Sequence, residues 1–61
     1  MAKFYDTRDA GDLTRVEAIL RHGGIEYAVR SSGLPDGFTE IHVAEEDLAY
    51  AFELLEVDSA G

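Results

Sequence analysis

The sequence predicts one α+β domain of element order βαββα, a three-stranded sheet of order 1-3-2 with both helices on one face. Three observations carry that prediction. Residues 9–29 read as a helix with a polar start, an apolar stripe, a double-glycine stop and an immediately alternating strand. Residues 41–55 run from an alternating strand into a second apolar helical stripe. Between them, Ser31-Ser32-Gly33-Leu34-Pro35-Asp36-Gly37 is dense in turn-forming residues and joins two strands as a hairpin.

Each element has its own local logic. Residues 3–6 form a short first strand, with Phe4 and Tyr5 expected on opposite faces because side chains alternate. Asp9 is placed to cap the first helix by accepting a hydrogen bond from a free amide, and Asp12 favours the positive helix end. Leu13, Val16 and Leu20 recur at helical spacing and Ile19 widens the stripe. Glu17 and Arg21 stand four apart with the acid first, the favourable order for an ion pair. Arg21 and His22 occupy the last turn, where cations are favoured, and Gly23-Gly24 supply the left-handed stop. Residues 25–30 alternate as a half-buried second strand. Residues 38–43 form the third, with Thr39, Ile41 and Val43 on one side and Phe38, Glu40 and His42 on the other. Glu45, Glu46 and Asp47 crowd the start of the second helix, whose buried stripe is expected to be Leu48, Ala51, Phe52 and Leu55. Tyr27 also stands at core spacing. Residues 1–56 form the domain on this reading, and residues 57–61 a frayed tail.

A helical crossover makes the first two strands parallel, and a hairpin makes the third antiparallel to the second. Placing the third strand between the other two buries Ile41 and Val43 best. The result is a ferredoxin-like βαββαβ unit without its last strand. It leaves one sheet face bare and the outer edge of the first strand unpaired, and a bare edge invites pairing.

Composition narrows the function classes. The chain has 61 residues, enough for one domain, and no cysteine, which removes disulfides, thiolate metal sites and cysteine nucleophiles. A domain of about this size buries only about 60% of the surface its unfolded chain exposes, so self-association is expected. No apolar run reaches the roughly 18 residues of a membrane span, and the start of the chain lacks a signal-peptide core, so a cytoplasmic protein is expected. The net charge is −8, unevenly placed: all five bases (Lys3, Arg8, Arg15, Arg21, Arg30) lie in residues 1–30, whereas residues 31–61 hold acids and no Lys or Arg. That balance disfavours nucleic acid and anionic membranes. The acidic half reads as a solvated helix face, as a docking surface for a basic partner, or as adaptation to high salt.

The residue pattern also resembles a family. A polar cap precedes Leu13 and Val16-Glu17-Ala18-Ile19-Leu20; then come Gly24-Ile25, a strand, a Gly/Pro loop and Val43-Ala44-Glu45-Glu46-Asp47-Leu48. Over about residues 4–55 this resembles the short bacterial proteins described as putative prokaryotic signal-transducing proteins. The resemblance implies a PII-like, ferredoxin-like fold and a regulatory or ligand-sensing role. Ala10 departs from the Pro that many members carry at the first helical position, and the middle loop is short.

Two surfaces attract functional expectation. The bare sheet face is expected to carry Tyr5, Ala28, Phe38 and His42, rimmed by Lys3, Glu26, Arg30 and Glu40; apolar and aromatic residues without a helix cover suit a homodimer interface. At the start of the first helix, Thr7, Arg8, Arg30, Ser31 and Ser32 form a candidate small-anion site, although Asp6, Asp9 and Asp12 share that end. His22 and His42 point to different layers, which argues against a shared metal. Ser31 and Ser32 lack a base and an orienting acid. The sequence therefore predicts a non-catalytic regulatory or interaction module without cofactor or metal. A ligand sensor is the alternative, and an enzyme or metalloprotein built around His42 is the least favoured.

Overall fold

The computed structural model of the chain describes residues 1–33 and 37–60. Its elements are β1 (Ala2–Thr7), α1 (Ala10–His22), β2 (Tyr27–Ser31), β3 (Thr39–Val43), a 3₁₀ turn (Glu45–Asp47) and α2 (Leu48–Ala60). The sheet order is β1-β3-β2, with β3 antiparallel to both neighbours. The α+β class, element order and central third strand are as the sequence predicts. Leu34, Pro35 and Asp36 of the expected hairpin turn lie outside the described residues.

Local chemistry explains where α1 begins and ends. The Asp9 carboxylate accepts a hydrogen bond from the Asp12 amide at 2.9 Å, and the Thr7 hydroxyl oxygen accepts one from the Asp9 amide at 3.1 Å. Two of the orphan donors around the helix start are thereby satisfied. At the other end the Gly24 amide donates to Arg21 C=O and the Ile25 amide to Leu20 C=O, both at 3.0 Å. This is a Schellman closure, with the buried side chains of Leu20 and Ile25 in the same core cluster.

Of this pair only Gly24 has a positive φ, +72°; Gly23 remains helical. The expected pair of left-handed glycines is therefore one. Gly23 has a different role, because a Cβ there would collide with the Leu54 side chain of α2. The closure also shortens the second strand: Ile25 is turned into the core to cap α1, and β2 begins two residues later, at Tyr27.

The core is Phe4, Val16, Leu20, Ile25, Ile41, Val43 and Ala51, which draws on β1, both helices and β3. Both helices thus lie on the face presented by Ile41 and Val43. Leu48, Leu54 and Leu55 pack against this core from α2. Phe52 departs from the expected stripe. Its ring lies 4.9 Å from that of Phe4, yet the residue is 49% exposed. It stands one residue, about 100° around the helix, from buried Ala51. The helix runs through Ala60, and Arg15 bonds to Asp58 near its end at 2.8 Å.

Candidate functional site

The bare sheet face is built differently from the sequence reading because β1 contains a bulge. Lys3 stands opposite His42 and Tyr5 opposite Ile41, so Phe4 is an extra residue without its own partner. The alternation is interrupted there, and Phe4 and Tyr5 both turn to the helix layer. Phe4 is buried; the Tyr5 ring packs against the core and its hydroxyl donates to Asp12 Oδ2 on α1 at 2.7 Å. Tyr5 therefore does not belong to the bare face.

The face consists instead of two cross-strand rows, Lys3–His42–Ala28 and Asp6–Glu40–Arg30. Its charges interleave. Lys3 Nζ pairs with Asp6 at 2.5 Å and lies 4.0 Å from Glu40, and His42 Nε2 lies 3.0 Å from Glu40 Oε1. The hydrogen bond to Asp6 holds the Lys3 ammonium above its ordinary pKa. Beyond the end of β3, the Arg8 guanidinium sits over the Phe38 ring, 4.4 Å from its centroid. Phe38 is 43% exposed. Of the expected interface residues, the structure keeps Ala28 and His42 on this face and Phe38 at its end.

Tyr5 instead opens a chain of contacts across three elements. Asp12 accepts from Tyr5 and from Arg15, the latter at 3.0 Å, and Arg15 also donates to Asp58 of α2. The Tyr5 hydrogen bond first, and the Arg15 hydrogen bond second, hold the Asp12 carboxyl below its usual 3.8. The same contact with Asp12 pushes the Tyr5 phenol above 10.0. A depressed carboxylate stabilises the fold above pH 3.8, and that contribution disappears as pH falls through the lower folded value. The raised phenol contributes below pH 10.0 and loses its contribution as pH rises through the folded value. Tyr5→Phe is expected to move the Asp12 titration up towards 3.8, read from carboxyl chemical shifts. An unchanged titration would show that Tyr5 does not hold Asp12.

The expected Glu17–Arg21 pair meets through a third residue. The Tyr27 hydroxyl donates to Glu17 Oε2 at 3.0 Å and accepts from Arg21 Nε at 3.3 Å. Near the N-terminus of α1, Thr7, Arg8, Asp9, Ala10, Leu13 and Thr39 line a hollow of about 110 Å³. Arg30, Ser31 and Ser32 do not line it: Arg30 stands across β3 in the row with Glu40, and Ser31 opposite Thr39. Arg8 is engaged with Phe38, and the Asp9 carboxylate already accepts the Asp12 amide. What this end offers an anion is therefore offset by a fixed negative charge.

A further surface escaped the sequence reading. Outside the helix layer, α1 and α2 border an open groove of about 520 Å³, whose apolar lining includes Ala18, Ile19, Tyr50, Leu54 and Val57. Tyr50, Leu54 and Val57 recur at i, i+4 and i+7, the signal that could have revealed a second apolar stripe on α2. His22 lines this groove, apart from His42 on the sheet. Among the described residues, no group of three or more His, Asp or Glu side chains is placed to hold a metal ion. Nor, among them, is any helix long and apolar enough to cross a membrane.

With this geometry in view, a family model described as "Putative prokaryotic signal transducing protein" matches residues 1–57. No curated protein and no solved structure matches the chain.

Proposed function

The chain belongs to the family described as "Putative prokaryotic signal transducing protein", and from that premise we propose that it is a small, non-catalytic regulatory module that acts by protein contact and pairs with a second copy through its sheet layer. The observation that carries this reading is the charge pattern of the bare face. Lys3 and Arg30 balance Asp6 and Glu40 there, in a chain whose net charge is −8. The α2 side of the opposite layer differs: residues 45–60 hold Glu45, Glu46, Asp47, Glu53, Glu56 and Asp58 and no base. Two copies meeting through α2 would bring like charges together. Two copies meeting through the sheet can set Lys3 and Arg30 of each against Asp6 and Glu40 of the other under a twofold axis. The stacked Arg8–Phe38 pair adds side-chain types enriched where interfaces hold most of their energy.

Non-catalytic action is supported by the engagement of the polar side chains in structural contacts. Asp9 caps α1, Asp12 holds Tyr5 and Arg15, Asp6 holds Lys3, and Glu40 meets His42. The uncovered outer edge of β2 adds a route for pairing, whereas β1 is blunted by its bulge.

Sedimentation equilibrium at roughly 100 µM, where an interface of micromolar Kd is filled, tests the pairing. The wild type is expected at twice the 6.7 kDa of one chain. Arg30→Glu, which makes the face acidic, is expected to sediment as a monomer with an unchanged circular dichroism spectrum. A monomeric wild type, or a dimer indifferent to Arg30→Glu, rejects this interface.

A further inference from the structure

We propose that the groove between α1 and α2 docks a basic amphipathic helix of another protein. The site is separate from the sheet face. The first observation is that α2 is apolar on two sides. Leu48, Ala51 and Leu55 turn to the core, whereas Tyr50 and Val57 remain 47% and 68% exposed. A helix that is apolar well beyond one stripe is ordinarily covered on its second side too. Here that side forms the wall of the open groove.

The second observation is shape. Tyr50, Leu54 and Val57 run along the wall for two turns, about 10 Å at 1.5 Å per residue. Arg15, Ala18, Ile19, His22 and Gly23 form the α1 side. Such a trough suits an apolar helix stripe with anchors at i, i+3 or i+4, and i+7.

The third observation is charge, and it selects the occupant. Glu53 precedes Val57 by one helical turn on the exposed side, exposed Glu46 lies in the 3₁₀ turn before α2, and the run from Glu45 to Asp58 contains no cation. On the α1 wall, Arg15 is held by Asp12 and Asp58. A second copy would bring its own acidic α2 into this field, and anionic lipid or nucleic acid would be repelled. A helix with Leu on one face and Lys or Arg on the other meets both demands: apolar anchors for the trough and cations for the acidic flank.

The test is fluorescence anisotropy with three labelled peptides. One is an amphipathic Leu/Lys helix, one is a scramble of equal composition without a continuous apolar face, and one is the Leu/Glu counterpart. The Leu/Lys helix is expected to bind at micromolar concentration, at least tenfold tighter than either control. Val57→Lys and Glu53→Lys are each expected to weaken it at least fivefold. Both positions are exposed, and circular dichroism checks that each variant folds. Equal binding of the scramble reduces the effect to charge and overturns the groove. Equal binding of the Leu/Glu helix overturns the acidic flank, and absence of binding overturns the proposal. If Val57→Lys dissociates the protein itself while Arg30→Glu does not, the occupant is a second copy, which overturns this proposal and the sheet interface together.

Discussion

Replacing Leu20 with Ala is expected to remove about 2–5 kcal/mol of stability and lower the thermal midpoint by roughly 8 °C or more. Leu20 is fully buried. Its backbone carbonyl accepts the Ile25 amide that closes α1, while its side chain packs in the cluster that includes Val16, Ile25, Ile41 and Val43. Truncation therefore opens a cavity where the helix end, the start of the second strand and the sheet meet. A domain of this length has in total roughly 3–9 kcal/mol of stability, so the loss is a large fraction of the whole. The measurement is a thermal melt followed by far-UV circular dichroism, with exposed Val57→Ala as the control. Each kcal/mol shifts the midpoint by about 4–8 °C in a domain this small. A Leu20→Ala midpoint within a few degrees of wild type would contradict the packing described for α1.

Phe4→Ala is expected to cost about 3–5 kcal/mol. Phe4 is buried and lies 4.9 Å, centroid to centroid, from the half-exposed Phe52 ring and 6.2 Å from that of Tyr5. Its loss would unseat the start of β1 from α2. The more telling comparison is with its neighbours. Strict alternation makes only one of Phe4 and Tyr5 important to the core; the bulge makes both so. Tyr5→Ala is thus also destabilising, because it removes core packing and the hydrogen bond to Asp12, whereas Lys3→Ala on the bare face falls within about 0.5 kcal/mol of wild type. Urea titrations of the three variants decide the matter. A neutral Tyr5→Ala beside a costly Phe4→Ala would restore uninterrupted alternation and return Tyr5 to the open face.

Features whose causes lie within a few residues were legible in the sequence. The Asp9 cap needs only Asp12, three positions on, and the α1 stripe needs only helical periodicity. The β3 alternation puts Ile41 and Val43 inward and Glu40 and His42 outward, as the pattern indicates. Elsewhere a non-local partner overrides the local pattern. Ile25 fits a strand by alternation, but its amide closes α1. Glu17 and Arg21 fit a helix pair, but the hydroxyl of Tyr27 stands between them. A shared end of the sheet groups Arg30, Ser31 and Ser32 with Arg8, yet the hollow beside Arg8 excludes them.

The sequence by itself determined the α+β class, the element order, the central position of β3 and the segregation of positive charge into the first half of the chain. These follow from capping chemistry, apolar periodicity and composition, each of which acts locally or sums over the whole. Only the tertiary structure decided which aromatic faces which layer and where an apolar trough remains. Tyr5 changes sides because cross-strand register places an extra residue at Phe4, and no residue in β1 alone specifies that. Along the groove, Gly23 of α1 admits the Leu54 side chain of α2, while Tyr50 and Val57 stay exposed. Both outcomes depend on distances between segments far apart in the chain, and those distances are set by packing the whole core at once.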